Sequence, residues 1–270
     1  MNSTSDLAGQ VLTIGLDGLQ LGPENRELFA SVHPGGVIYF QRNIESAEQF
    51  HTLVAESRNQ LNDSAPFLAL DLEGGSVDRF RQLIAPLPAA GPIAAQGLGR
   101  ELGRVAGREL AAFGLNVDFA PVLDLTLHAS EKVLADRTAG GSPEEVVQFA
   151  TEFLDGLSES GIWGCGKHFP GLGGGTLDSH LEMPRIGRSF DEMWDQDLRP
   201  YRDLAKLLPM VMVAHAWYPN LEQRLGWSGA ERPASDQSNG RMPAWRHQRV
   251  MACNSRSAPS TAGVSRQRQG

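Results

Sequence analysis

Apolar residues along this chain occur in short, uninterrupted runs. The runs carry no polar alternation, which is typical of strands buried on both faces of a parallel sheet. Apolar positions at helical spacing follow most of them, as from Leu98 to Phe113. The runs predict strands at residues 11–15, 36–40, 67–70, 116–119, 161–166 and 210–215. Strands that alternate with helices predict an α/β fold with a parallel sheet.

Helix-start signals lie between the predicted strands. Ser46 is followed by Gln49, and Ser142 by Pro143 and Glu145, with the spacing of an N-cap and its partner. A further helix is predicted between Phe190 and Leu208, before the sixth strand. The strand and helix order therefore repeats along the first four fifths of the chain.

Polar side chains follow the predicted strands directly. Asp71, Asp124, Lys167 and His215 each stand at or just beyond the carboxyl end of a strand. In TIM barrels this end of the sheet holds the active site. We therefore expect a TIM (β/α)8-type barrel, incomplete because about six of the eight βα units are present.

The pattern stops near residue 219. The remaining residues show neither helical nor strand periodicity, and such a segment buries too little apolar surface to offset its chain entropy. Residues 223–270 hold eight Arg and two acidic residues, which is a charge of +6. Residues 1–222 therefore carry a charge of −14, and the whole chain has a net charge of −8. We predict one domain over residues 1–222 and a disordered, non-native tail over residues 223–270.

The charge and cysteine content exclude several classes of protein. A net charge of −8 does not favour nucleic-acid binding, and two cysteines form neither a disulfide framework nor a metal-ligand spacing. Cys165 lies in an apolar strand and is expected to be buried and inert. No secretion signal or membrane span is visible. The sequence predicts a cytoplasmic protein without metal, cofactor or membrane contact, and leaves its oligomeric state unknown.

The densest group of chemical side chains spans residues 167–180. It begins with Lys-His-Phe-Pro-Gly at residues 167–171 and ends with Asp-Ser-His at residues 178–180. With the motifs at residues 71–79 and 116–124, it resembles glycoside hydrolase family 3, N-terminal domain, and most closely its NagZ-like β-N-acetylhexosaminidases. The resemblance covers roughly residues 10–220, with the motifs in family order.

The resemblance implies a TIM-barrel catalytic domain and a retaining glycosidase that removes terminal GlcNAc from peptidoglycan fragments. It makes His180 the acid/base and Asp178 its carboxylate partner, in place of the second carboxyl of most retaining enzymes. A simpler interpretation of this pair is an exposed loop histidine beside a capping aspartate. The residues that the resemblance places against the sugar are Asp71, Arg79, Arg137, Lys167 and His168. Glu73 is interpreted as structural, bonding to backbone beside Gly74 and Gly75.

The chain departs from the family pattern in two places. Leu172 and Gly174 replace a histidine and an aspartate of the family's loop. The family's nucleophile, an aspartate after strand seven, has no counterpart, because Asp236 follows no apolar strand. A shifted reading frame or a truncated gene is our hypothesis for this loss, and we expect little or no turnover.

Two alternatives remain beside the enzyme. One is a non-catalytic sugar-binding remnant or inactive fragment of such an enzyme. The other is a family relative that acts on β-glucosides or by phosphorolysis. The histidine and aspartate at residues 178–180 speak against the plain β-glucosidase branch.

Overall fold

The computed structural model describes residues 4–61, 65–130, 134–176, 184–224 and 251–253. Its strands are β1 (Thr13–Gly15), β2 (Gly36–Ile38), β3 (Phe67–Leu70), β4 (Leu72–Gly74), β5 (Val77–Asp78), β6 (Val117–Asp118), β7 (Trp163–Phe169), β8 (Gly175–Thr176), β9 (Arg185–Ile186), β10 (Met210–Val213) and β11 (Met251–Cys253). Its α-helices are α1 (Thr4–Gln10), α2 (Pro23–Val32), α3 (Ala47–Gln60), α4 (Ala90–Ala94), α5 (Gly99–Ala112), α6 (Pro143–Ser158), α7 (Phe190–Asp195), α8 (Arg199–Asp203) and α9 (Pro219–Arg224).

One curled sheet organises the described residues. Its strand order is β1-β2-β3-β6-β7-β10-β11. The first six strands are parallel to their neighbours, and β11 is antiparallel to β10. These six parallel strands correspond to the six apolar runs of the sequence. The predicted fold, an incomplete TIM-type barrel, is confirmed.

Alternate residues of the strands enter two apolar clusters. Val37 and Leu68 pack in the larger cluster, which includes Phe50 of α3 and Leu110 of α5. Ile38, on the opposite face of the sheet, packs in a second cluster with Cys165, which is fully buried. The central strands are therefore buried on both faces, which explains why their sequence lacks polar alternation.

Close helix packing supports the sheet from outside. Helices α5 and α6 approach so closely that a Cβ atom at Gly103 would lie 2.1 Å from the carbonyl oxygen of Phe153. Helix α6 begins with the predicted capping box, in which Ser142 Oγ accepts from the Glu145 N–H at 3.3 Å. Glu145 Oε2 in turn accepts from the Ser142 N–H at 3.0 Å. Ser46 caps α3 with one such bond, its Oγ accepting from the Gln49 N–H at 3.2 Å, while the Gln49 side chain accepts from the Glu45 N–H at 2.9 Å.

Element boundaries differ from the predictions in three places. Strand β7 runs to Phe169, so Lys167 and His168 lie inside the strand rather than in the loop after it. The helix expected between Phe190 and Leu208 is two short helices, α7 and α8. A small antiparallel hairpin, β4–β5, follows directly after β3.

The tail is described only in part. Helix α9 crosses the predicted boundary and ends at Arg224. Met251–Cys253 forms β11 on the outer edge of β10. The remainder of residues 223–270 lies outside the described residues, and for it the disordered, non-native tail stays a prediction.

Candidate active site

Three adjacent strands bring the polar motifs together. Asp71 follows β3 directly, Asp124 lies six residues beyond β6, and Lys167 and His168 belong to β7. Because β3, β6 and β7 are parallel neighbours, their carboxyl ends meet at one edge of the sheet. A β-bridge between Val122 and Lys167 holds the segment after β6 against β7.

Four charged side chains form what we call the charge cluster: Asp71, Glu73, Arg137 and Lys167. Lys167 Nζ donates to Asp71 Oδ1 at 2.8 Å and also contacts Glu73 Oε1. Arg137 makes a bidentate contact with Glu73, donating from Nε at 2.7 Å and from Nη2 at 2.8 Å. Two cations and two anions thus balance in a largely buried site.

The cluster keeps its charges because each ion has more than one partner. Burial alone raises the pKa of Glu73, but Lys167 and Arg137 outweigh burial, and the net shift is downward. Burial alone lowers the pKa of Lys167, but Asp71 and Glu73 outweigh it, and the net shift is upward. The lysine is therefore a cation and the glutamate an anion at neutral pH.

A 3₁₀ helix, Ala135–Arg137, positions the arginine of the cluster. Its Asp136 accepts a hydrogen bond from the Ser76 N–H at 2.9 Å, which ties this segment to the β4–β5 turn. Glu73 lies in β4, the strand that leads into this turn, so this contact holds arginine and glutamate together in addition to their own side-chain pair.

His168 connects the cluster to Asp124. Its Nδ1 lies 2.6 Å from Asp124 Oδ2, and its Nε2 lies 3.3 Å from Arg137 Nη2. Arginine can only donate, so Nε2 accepts and the ring proton sits on Nδ1, facing the carboxylate. Asp124 Oδ1 also accepts from the Leu172 N–H at 2.7 Å. The carboxylate therefore orients both the imidazole and the loop after β7.

The site has an outer and an inner layer. The side chains of Arg79, Arg137 and His168 are 28%, 19% and 12% exposed. Lys167 and Asp71 are only 1% and 2% exposed and lie beneath them. Two guanidinium groups and one imidazole are thus partly open to solvent, while the ion pairs below fix their positions.

The structure brings together all five residues predicted to contact the sugar. Arg79 completes the group, with its Nη2 atom 3.4 Å from Asp71 Oδ2. Asp178 and His180 lie outside the described residues, and their roles stay predictions. His215 follows β10 and is exposed.

Two carboxylates have roles that the sequence interpretation did not give them. Glu73 was interpreted as bonding to loop backbone, and it instead pairs with the side chains of Lys167 and Arg137. Asp124 was not among the predicted site residues, although it ends the motif at residues 116–124. The signal in the sequence that could have identified Asp124 is its position just beyond the carboxyl end of a predicted strand, as for Lys167 and His168.

Within the described residues, no three His, Cys, Asp or Glu side chains come close enough together to hold a metal ion. Among the described helices, none combines the length and the apolar character that a membrane span requires.

Comparison with known proteins places this site in a family. The glycosyl hydrolase family 3 N terminal domain matches residues 7–240. The chain belongs to glycosyl hydrolase family 3. A beta-hexosaminidase of Tolumonas auensis is 38% identical over 220 residues, which are 79% of this chain and 65% of that relative. The chain thus spans less than two thirds of the length of that relative.

Solved structures of the family share the fold. A family 3 beta-N-acetylglucosaminidase from Paenibacillus sp. is similar with a TM-score of 0.77 and 31% identity, covering 83% of this chain and 44% of that chain. NagZ from Neisseria gonorrhoeae, in complex with N-trifluoroacetyl-D-glucosamine, is similar with a TM-score of 0.72 and 35% identity. That match covers 78% of this chain and 64% of the Neisseria chain.

Proposed function

We propose that this chain carries the sugar-binding part of a retaining β-N-acetylhexosaminidase that removes terminal GlcNAc from peptidoglycan fragments in the cytoplasm. The observation that carries the proposal is the layered site, in which the polar groups of Arg79, Arg137 and His168 lie partly exposed above paired ions. A polyhydroxylated ligand requires such an array, because each buried hydroxyl left without a partner is costly.

Each part of the site has a role in this proposal. Arg137 donates to sugar hydroxyls, and His168 Nε2 and the Asp71 carboxylate accept from them where they reach the ligand. The charge cluster fixes these groups before the sugar arrives, which reduces the ordering cost of binding. His180 protonates the leaving oxygen and Asp178 holds its imidazole, as the family resemblance implies.

Turnover needs a group that the sequence does not offer. A retaining mechanism forms a covalent glycosyl-enzyme on a carboxylate, and no aspartate after an apolar seventh strand is present in these 270 residues. We therefore propose that the 270 residues bind the sugar but give little or no hydrolysis. The non-catalytic sugar-binding remnant is the second candidate, and this missing nucleophile favours it.

Titration calorimetry of the purified chain with GlcNAc tests the sugar site. We expect saturable binding that His168→Gln weakens by about tenfold, since one ligand-facing hydrogen bond contributes roughly 1.4 kcal/mol. His51→Gln, an exposed histidine on α3, is the matched control and should bind as the wild type does. Absence of binding by a cooperatively folded wild-type chain contradicts the proposed sugar site.

A chromogenic aryl β-N-acetylglucosaminide tests turnover separately. We expect release of the aryl alcohol close to the uncatalysed rate. Release at the rate of an ordinary glycosidase, in a preparation free of contaminating glycosidases, would mean that a carboxylate within these 270 residues acts as the nucleophile. The same assay with an aryl β-glucoside, and with phosphate added, checks the β-glucosidase and phosphorolysis alternatives.

A further inference from the structure

A second buried polar contact lies beneath the loop that follows β7. Gly171 packs directly on Asp197, and a Cβ atom at Gly171 would lie 2.7 Å from the Asp197 Cβ. Gly171 also has a φ of +131°, which side-chain-bearing residues rarely adopt. The hydroxyl of Tyr218 donates to the Gly171 carbonyl at 3.0 Å. The loop is thus held from below by two separate side chains.

Among the described residues, Arg188 is the one cation paired with Asp197. Asp197 lies between α7 and α8, is 2% exposed, and its Oδ2 atom is 3.1 Å from Arg188 Nε. Arg188 Nη2 also donates to Gln196 Oε1 at 2.6 Å. Arg188 lines an open cleft of about 330 Å³, so solvent reaches the arginine while the carboxylate beneath stays dry.

Described contacts connect this pair to the candidate active site. Leu172, the neighbour of Gly171, donates its N–H to Asp124 Oδ1. The other oxygen of Asp124 faces His168 Nδ1. A shift of Gly171 on Asp197 therefore changes how Asp124 holds the imidazole, and with it the direction of the imidazole Nε2.

We propose that Asp197, held by Arg188, is a positioning residue that fixes residues 171–172 and, through Asp124, the orientation of His168. It touches neither sugar nor reacting atoms. The sugar-binding consequence rests on the proposed function, whereas the effect on the loop and on His168 does not.

The charges around Asp197 make this positioning dependent on pH. Burial raises the pKa of Asp197 to about 6, against the opposing effect of Arg188. Asp124 and Glu192 act in the same direction as burial, and the hydroxyls of Tyr201 and Tyr218 also lie within its electrostatic reach. Above this pH the ion pair with Arg188 is complete, and below it Asp197 is neutral. Sugar affinity should therefore fall as the pH drops through about 6.

A matched pair of glycine variants tests the contact. Gly171→Ala should weaken GlcNAc binding by about tenfold or more, because the new methyl group must displace Asp197 and the φ of +131° is unfavourable for alanine. Gly187→Ala is the control, since nothing lies within 4 Å of a Cβ atom there. Equal affinities of the two variants would overturn the proposal.

The variant Asp197→Asn tests the charge. It mimics the neutral acid at every pH, so its GlcNAc affinity should stay low and lack the step near pH 6 that the wild type shows. Superimposable pH profiles for the wild type and Asp197→Asn would overturn the proposal.

Amide exchange and ring-nitrogen shifts by NMR give a readout without sugar. In Asp197→Asn we expect the Leu172 N–H to exchange about tenfold faster and the His168 Nδ1 resonance to move. Arg188→Lys keeps the positive charge, should fold even if Asp197→Asn does not, and should show a smaller change of the same kind. Unchanged exchange and shifts in both variants contradict the positioning role. If these signals change but the wild type binds no GlcNAc, only the proposed function fails.

Discussion

Glu73 in the charge cluster and Asp197 beneath the loop are both buried carboxylates paired with cations, yet their pKa values move in opposite directions. Glu73 has Lys167 and a two-pronged Arg137 as partners, and its pKa is lowered. Asp197 pairs with Arg188 alone among the described cations, and its pKa is raised to about 6. Burial penalises both charges, so the number and geometry of the partners decide which carboxylate stays ionised.

Asp118 extends the comparison to a carboxylate without a cation bound to it. One oxygen accepts from the Leu72 N–H at 3.0 Å, and the other has no hydrogen-bond partner among the described residues. Burial raises the pKa of Asp118 well above its usual range. A neutral Asp118, bonded to the Leu72 N–H between Asp71 and Glu73, adds no charge to the balanced cluster.

The largest effect should come from breaking the cluster. Lys167→Met leaves two buried carboxylates without their shared cation, and we expect the free energy of unfolding to fall by about 3–5 kcal/mol. Urea denaturation measures it. Lys206→Met, at an exposed position, is the matched control and should cost less than about 0.5 kcal/mol. A Lys167→Met variant as stable as this control would show that the cluster does not stabilise the fold.

The next effect concerns the pH dependence of stability. Because the folded-state pKa of Asp197 is about 6, the folded chain retains a proton that the unfolded chain loses near pH 4. Stability should therefore fall as the pH rises from about 4 to about 6, by up to about 3 kcal/mol.

Asp197→Asn removes this contribution. Urea denaturation at several pH values should show that the variant lacks the decline, so that it gains stability relative to the wild type as the pH rises. An identical decline in the variant would mean that Asp197 does not titrate in this range. Ionised Asp197 thus costs stability while it positions the loop.

A smaller effect is expected from Arg137→Lys. Lysine keeps the charge but loses the two-pronged contact with Glu73 and the contact with His168, so GlcNAc affinity should fall by about 1–2 kcal/mol, or five- to thirtyfold. Calorimetry measures the change. The control is Arg199→Lys in the exposed pair with Glu144, which should not alter sugar affinity.

The smallest effect belongs to a surface ion pair. Arg26 and Glu56 meet at 2.9 Å, but their side chains are 48% and 44% exposed. A double-mutant cycle with Arg26→Met and Glu56→Gln should give a coupling free energy below about 1 kcal/mol that weakens in salt. A coupling as large as the loss in Lys167→Met would remove the distinction between buried and surface pairs.

Much of the fold could be predicted because its signals are local. The apolar runs at residues 67–70 and 210–215 and the capping box at Ser142 each specify an element from neighbouring residues. The division of residues 190–208 into two helices could not be predicted in this way. A chain reversal that seats Asp197 against Gly171 depends on a contact that the local sequence does not contain.

The sequence by itself determined the order of the strands and helices and the placement of polar residues at the carboxyl ends of β3 and β7, because periodicity, caps and turns act over a few residues. Only the tertiary structure decided the pairings. Lys167 meets Asp71 across 96 positions, Arg137 meets Glu73 across 64, and His168 meets Asp124 across 44. Parallel strands bring such distant partners together where their ends align. The number of cations around each buried carboxylate then decides whether it remains charged.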